Sequence, residues 1–391
     1  MNNIRNQNIR GLRVLVRCDL NVPINNGIVV DDFRIKKLIP TIDFLRENGA
    51  KIILITHLGQ PKKKNLAYSV KPAAKRLWQL IGGRVKFISD TVGLRVEAEI
   101  RRMENGEVAV LENLRFYKGE IENSDDFSKR LSRLGDIFIQ DGFGACHREH
   151  ASIVGVPKIL PSFPGLLLEK EIKVLSDALV LPERPLVSII GGIKASTKIK
   201  VIKNLLEKSD YVLLGGKVAN TLLTSKGIYV KDLMSSEEEE LIEISKEINL
   251  FDPKLQLPID GMMGLCNFDE EYIRIGGVGN VRNEEEIYDI GPETIEKYKA
   301  ILREAKTIIW NGPLGYFEKE KFSNGTIEIA KMIGQNNHNV FSIVGGGETV
   351  EAIQKLGIED QFDHISTGGG AMLDFISGKE LPGIKALDYE N

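Results

Sequence analysis

The chain of 391 residues is 42% hydrophobic and 27% charged with a formal net charge of −3, which leaves room for two cored domains, and no apolar run approaches the roughly 18 residues of a membrane span. Its three cysteines, Cys18, Cys146 and Cys266, are odd in number and widely separated, which excludes a disulfide framework and fits a reducing cytoplasm. Residues 1–164 carry 27 Lys and Arg against 18 Asp and Glu, and the remainder 25 against 37; without an RNP signature, zinc-finger spacing or basic repeat, the basic half suits a small multiply charged anion held by arginines, or an uneven solvated surface, rather than nucleic acid.

Residues 1–11 are polar throughout, so no signal peptide is expected. Residues 12–17 form a strand candidate that ends in CDLNVP (18–23), where Asp19 and Asn21 project beyond the strand end and Pro23 stops it. Residues 31–48 read as a helix with Ile35, Leu38, Ile39, Ile42 and Leu45 on one face and Gly49 as its stop. Arg34 lies in its first turn. A cation there opposes the positive end of the helix dipole unless that end also receives an anion. A strand over 51–57 empties into HLGQP (57–61); a helix capped by Ser69 runs to Ile81; strand 84–88, helix 92–104 and strand 107–111 follow. The last opens into ENLRF (112–116), placing Arg115 just past a strand end. Helix 127–134 and strand 136–139 lead to DGFGACHREHAS (141–152), which holds Arg148. If the sheet is parallel, His57, Arg115 and Arg148 share one edge. Cys146, His147 and His150 are metal ligands in type but lack a second pair at ligand spacing, and no structural zinc is expected.

The amphipathic tract 163–181, between prolines at 161/164 and 182/185, reads as a helix joining two halves. In SIIGGIKASTKI (188–199) an apolar run meets two glycines and presents Lys194 and Lys198 one helical turn apart, the arrangement an anion requires. It is not a Walker A loop. Further apolar runs end at Gly215 and Gly216, at Gly312, at Gly345, Gly346 and Gly347, and at Gly368, Gly369 and Gly370. Parallel strands would bring these turns to one edge and line a crevice with glycine backbone, suited to a nucleotide's phosphates. Residues 235–249 read as an acidic, solvated helix, and Gly291-Pro292-Glu293 as a helix start leading to Ala305.

Nine motifs in fixed order, RCDLNVP (17–23), FRIKKLIPTI (33–42), HLGQP, LENLRF (111–116), DGFGACHREHAS, GGIKASTK (191–198), WNGPLGYFE (310–318), GGGET (345–349) and STGGGA (366–371), give a chain that resembles phosphoglycerate kinases along essentially its whole length. The resemblance implies an α/β fold of two Rossmann-like domains, residues 1–164 with about 377–391 returning to them, and residues 185–376, joined by a helix over 165–184 and a hinge. It implies a monomeric cytoplasmic enzyme that moves a phosphoryl group between 1,3-bisphosphoglycerate and ADP, with magnesium as Mg-ADP or Mg-ATP, and neither nucleic-acid nor membrane partners. By matching position, Asp19, Asn21, Arg34, His57, Gln60, Arg115 and Arg148 would hold 3-phosphoglycerate. Lys194 and Lys198 would bind the moving phosphoryl group, with Arg34 and Gly369 facing it; Gly215, Gly216 and Gly312 would flank adenine, and Glu318 the ribose. Gly345, Gly346, Gly347, Glu348 and Thr349 would meet the nucleotide phosphates, Glu348 also the metal. Three positions depart from the family's usual residues: Gln60 stands for Arg, Glu348 for Asp and Lys217 for Gly. A kinase of this fold with another acceptor, and a nucleotide-binding scaffold without turnover, remain as rival readings; a dehydrogenase is disfavoured because no G-x-G-x-x-G follows any strand.

Overall fold

The computed structural model describes residues 3–83, 85–193, 195–229, 239, 242–243, 245–266, 271–336 and 339–387, the side chains of 195–197 excepted. By contacts the chain divides into two units, residues 1–173 with 380–391, and residues 174–379.

In the first unit, β1 (Arg13–Arg17) is followed by a hairpin of β2 (Ile24–Asn25) and β3 (Ile28–Val29), then β4 (Lys51–Ile55), β5 (Val85–Ile88), β6 (Val108–Leu111), β7 (Ile137–Gln140) and β8 (Ser162–Pro164). All but the hairpin join one parallel sheet in the order β5-β6-β4-β1-β7-β8. The alternation of a strand sorts β1 between two cores: Val14 and Val16 pack with Ile35, Leu38, Ile42 and Leu45 of the helix Phe33–Glu47, and Leu15 packs on the other face with Val96, Ile100, Phe127 and Leu131. Each such fully buried aliphatic side chain stabilises by about 2 kcal/mol. Because Arg17 stands level with Ile55 and Gln140, the loops after β1, β4 and β7 leave from one edge.

The helices expected over 31–48 and 92–104 are shorter, Phe33–Glu47 and Leu94–Arg101, and the one expected over 127–134 is shifted to Asp125–Ser132, where Ser124 caps it. Asp31 lies ahead of the first of these and takes the Phe33 N–H through Oδ1 at 2.8 Å, and Asp32 pairs with Arg76 at 2.6 Å. The next helix is Lys71–Ile81; Ser69 stands ahead of Val70, its hydroxyl accepting from the Lys71 N–H at 3.3 Å and donating to Glu112 Oε2 at 2.8 Å. The tract expected to be helical from 163 begins as a strand. Pro164, which lacks an N–H, is tolerated in β8 because that strand is at the sheet edge, and the helix is Leu166–Val180. Its start is held by Asp141, whose Oδ1 accepts from the Leu167 and Leu168 N–H groups at 3.0 and 3.1 Å. The unit boundary falls inside this helix. At the far end of the sequence the short helix Pro382–Lys385 rejoins the first unit, the Gly383 N–H donating to the Cys146 carbonyl at 2.9 Å.

The second unit carries β9 (Leu186–Ile190), β10 (Tyr211–Leu214), β11 (Leu255–Gln256), β12 (Asp260–Leu265), β13 (Arg274–Gly277), β14 (Glu285–Ile290), β15 (Thr307–Asn311), β16 (Phe341–Gly345) and β17 (His364–Ile365). Six of them form a second parallel sheet in the order β11-β10-β9-β15-β16-β17. Ile190 stands level with Asn311, and Asn311 with Gly345, so the glycine turns cluster at one edge. An antiparallel sheet β13-β12-β14, not expected from the sequence, packs Met263, Val278 and Ile287 against Leu223 and Tyr229. The acidic helix expected over 235–249 lies largely outside the described residues. No described helix is long and apolar enough to cross a membrane.

Candidate active site

In the first unit the edge gathers guanidinium groups. Arg17, the last residue of β1, is fully buried; its Nε donates to Ser152 Oγ at 2.9 Å and its NH2 group reaches His57 Nδ1 at 3.0 Å. Ser152 in turn donates through Oγ and N to Glu120 Oε1 and Oε2 at 2.6 and 3.0 Å. Arg34 is steered by Asp19 Oδ2 and the Asn21 carbonyl at 3.1 and 3.0 Å, while Asn21 Oδ1 accepts from the Gly59 N–H at 2.9 Å. Arg115, 6% exposed, donates to the Gly59 carbonyl at 2.5 Å, and its Nε finds no partner among the described residues. Arg148 is half-buried and Gln60 exposed.

The electrostatics follow from crowding like charges. Burial, with Arg148 and Arg17 nearby, lowers the Arg115 guanidinium to about 10. Burial and the field of Arg17, Arg115, Arg148 and Arg34 hold His57 well below the usual imidazole range; burial, Arg115, Arg17 and Arg148 put His150 at about 4. Both imidazoles are therefore neutral at neutral pH. Since Arg17 donates to His57 Nδ1, the proton of that ring is on Nε2. Glu120 sits within the same field, and its burial nevertheless raises its carboxyl above the ordinary value. The cluster is a cationic surface short of counter-charge.

In the second unit the glycines have a steric reason. A Cβ on Gly191 would stand 2.0 Å from the Pro313 carbonyl oxygen, and one on Gly312, at φ +96°, 2.1 Å from the Gly191 carbonyl oxygen. Backbone thus packs on backbone: the Gly191 N–H donates to Asn311 O at 3.0 Å, Gly192 to Pro313 O at 2.6 Å and Gly216 to Leu314 O at 2.8 Å. Lys198, 6% exposed, donates from Nζ to the Gly191 carbonyl, and a methyl on Gly192 would lie 2.9 Å from that ammonium and 3.5 Å from Glu348 Oε2. Lys198 and Glu348 therefore converge on Gly192. The loops bound a cleft of about 280 Å³ lined by Gly216, Lys217, Tyr288, Tyr316, Glu318 and Glu348 among others. Glu348 and Glu318 are exposed; Thr349 is fully buried and its Oγ1 accepts from the Gly312 N–H at 2.8 Å, holding a loop. Gly345 is buried, Gly347 exposed, and Gly369, at the start of the helix Gly369–Ile376, has its Cβ position 2.8 Å from Gly346 Cα. Gly215 packs on Leu314. Lys194 lies outside the described residues.

The family profile described as phosphoglycerate kinase matches residues 4–379. The chain belongs to the phosphoglycerate kinase family. It is similar to the phosphoglycerate kinases of Dictyoglomus turgidum, 45% identical over 98% of this chain and 97% of that one, and of Aquifex aeolicus, 42% identical over 98% of each. Among solved structures, that of phosphoglycerate kinase from Pyrococcus horikoshii aligns with TM-score 0.88 at 35% identity, and that from Coxiella burnetii with 0.83 at 36%, each over 99% of this chain and 98% of the other. As a phosphoglycerate kinase the chain is a glycolytic phosphotransferase with a carboxyl group as acceptor.

Sequence reasoning missed Arg17, Glu120 and Ser152 as members of the arginine network, and Tyr288 and Tyr316 as walls of the cleft. The only signal for Arg17 is a cation ending an apolar strand. Glu120 and Ser152 carry none, since each acquires its partner from a different loop.

Proposed function

We propose that 3-phosphoglycerate binds the first unit's arginine surface and Mg-ADP or Mg-ATP the cleft of the second, and that the phosphoryl group passes between them when the two units close. What supports this most is the guanidinium cluster, in which burial and the surrounding cations hold two imidazoles neutral and the buried Nε of Arg115 has no partner among the described residues. A ligand with a phosphate and a carboxylate supplies the missing charge; Arg115, Arg148 and Arg34 would pair with it and the Nε2–H of neutral His57 would donate to it. Asp19 and Asn21 would position Arg34, and Gln60 would offer a neutral amide to the same ligand.

Phosphoryl transfer asks for alignment and for neutralisation of charge on the equatorial oxygens, with little covalent work from the protein. Lys198 and Lys194 would provide cations, and the helix start at Gly369 would provide N–H groups aimed at developing charge. The acceptor already carries an ionised carboxylate, so no general base is needed. No group of three His, Cys, Asp or Glu able to enclose a metal occurs among the described residues. Magnesium commonly keeps waters and takes one or two carboxylates plus substrate phosphates, so the exposed carboxylate of Glu348 in the cleft fits an ion arriving with the nucleotide. Glu348 would be its carboxylate; when bound, the ion withdraws charge from the phosphates. The three free cysteines suit a cytoplasmic enzyme, and a monomer suffices because both surfaces belong to one chain.

The test is a coupled assay with ATP, magnesium and 3-phosphoglycerate. Turnover far faster than with other small carboxylates is expected; rapid turnover on a different carboxylate would change the acceptor, and nucleotide binding without turnover would leave a scaffold.

A further inference from the structure

The first unit contains a groove of about 830 Å³ that is lined by none of the residues assigned to the two surfaces. Its floor is β5, the edge strand, through Val85 and Phe87, and its sides are the helix Lys71–Ile81, Leu66 and the hairpin tip at Gly27. Two large apolar side chains stand open there, Trp78 at 50% and Leu66 at 76% exposure, although the same helix buries Ala73, Ala74 and Leu77. Ile28 and Val30 on the adjoining hairpin strand and turn are 70% and 68% exposed. A volume in the range of small-molecule pockets with an aromatic wall is suited to a compact ligand rather than a flat protein interface.

Charge narrows the class. Lys64, Lys71 and Lys75 line the groove, and none makes an ion pair among the described residues. Lys71 and Lys75, four residues apart on one helix, face the same way, where like charges repel. Lys71 also occupies the first turn, against the dipole, and no acid accompanies it there. The carboxylate that reaches the groove, Glu112, is occupied: Oε2 accepts from Ser69 Oγ at 2.8 Å, and Oε1 from the Val70 and Asn113 N–H groups at 3.0 and 2.9 Å. An anion would relieve the repulsion between the lysines, while an aromatic body would cover Trp78, Leu66 and Phe87.

We propose that this groove is a binding site for a small anionic molecule with an aromatic body, separate from the substrate and nucleotide surfaces. The site is charge-selective: the lysines hold the acid group and Trp78 stacks on the ring.

The chain has two tryptophans, and Trp310 is fully buried, so Trp78 is the one a groove ligand meets. The probe is 8-anilinonaphthalene-1-sulfonate, titrated into the full chain held saturated with 3-phosphoglycerate and Mg-ADP, with N-phenyl-1-naphthylamine as the uncharged counterpart. One sulfonate probe per chain is expected to bind and quench Trp78. In the Lys71→Glu/Lys75→Glu double variant its affinity is expected to fall about tenfold or more, while phosphoryl-transfer turnover, measured on the same preparation, stays within about twofold. The uncharged probe is expected to bind the unaltered chain about tenfold more weakly than the sulfonate and to be indifferent to the double variant. Trp78→Phe is expected to remove the quenching and retain the probe. Displacement of the sulfonate by 3-phosphoglycerate or ADP, equal affinity for both probes, or an unchanged affinity in the double variant would each overturn the proposal.

Discussion

At the scale of single residues, Lys198 and Asp289 show how burial decides what a charge does. Lys198 is almost wholly enclosed and tied to the Gly191 carbonyl, so its ammonium is fixed before any phosphate arrives. Lys198→Ala is expected to lower kcat about 100-fold, the usual cost of losing one aimed cation or donor, with the KM for 3-phosphoglycerate little changed; steady-state kinetics on both substrates checks it. Asp289 is buried beneath the Gly315–Tyr316 loop that lines the second unit's cleft: Oδ2 accepts from the Gly325 N–H at 2.7 Å and Oδ1 from the Ile290 N–H at 2.9 Å, and a Cβ on Gly315 would meet Oδ1 at 2.1 Å. Burial raises its carboxyl to about 7, against an unfolded value of 3.8. The folded chain therefore keeps a proton that the unfolded chain releases. This stabilisation is full below the unfolded value and is lost as pH rises through about 7. Relative to the unaltered chain, Asp289→Asn should gain about 1.4 kcal/mol of stability per pH unit between roughly pH 4 and 7. Urea unfolding followed by Trp310 emission at several pH values measures it, and Asp141, also raised to about 7 by burial, is common to both proteins and cancels.

At the scale of elements, the glycine turns separate into two kinds that look alike in sequence. Gly191 and Gly312 have no room for a methyl group, whereas Gly347, in the first turn of the helix Gly347–Leu356, has nothing within 4 Å of its Cβ position. Gly312→Ala should destabilise by about 3 kcal/mol or more through the clash with the Gly191 carbonyl and the positive φ, and thermal melting should show it. Gly347→Ala should leave the melting temperature nearly unchanged, so that any fall in ADP affinity measured by calorimetry reports how closely the nucleotide approaches that backbone. The same distinction explains what was legible. Apolar runs named the strands of both parallel sheets except the three-residue β8 and the two-residue β11, with terminal glycines as an added signal in the second sheet only, because a strand buried on both faces is a continuous apolar run. The antiparallel sheet β13-β12-β14 escaped notice: its strands hold glycines at 261, 264, 276 and 277 and acids at 285, 286 and 289, and they pair through contacts with sequence-distant partners.

At the scale of the whole molecule, each unit carries one of the two charged surfaces. The closure proposed above is expected to lower the radius of gyration measured by small-angle scattering when 3-phosphoglycerate and Mg-ADP are both present, with neither alone sufficient; an unchanged radius in the ternary mixture would argue against it. The sequence by itself determined the two parallel sheets, the order of their strands along the chain and the placing of His57, Arg115, Arg148 and the glycine turns beyond strand ends, since these depend on periodicity and on residues that punctuate a chain locally. Tertiary structure alone decided that Arg17 would hold His57 by Nδ1, that Glu120 and Ser152 would stand behind it, that Thr349 would be consumed in supporting Gly312, and that Lys198 and Glu348 would converge on Gly192. Those outcomes depend on the distance between loops far apart in the chain and on how completely water is removed from the charges they bring together.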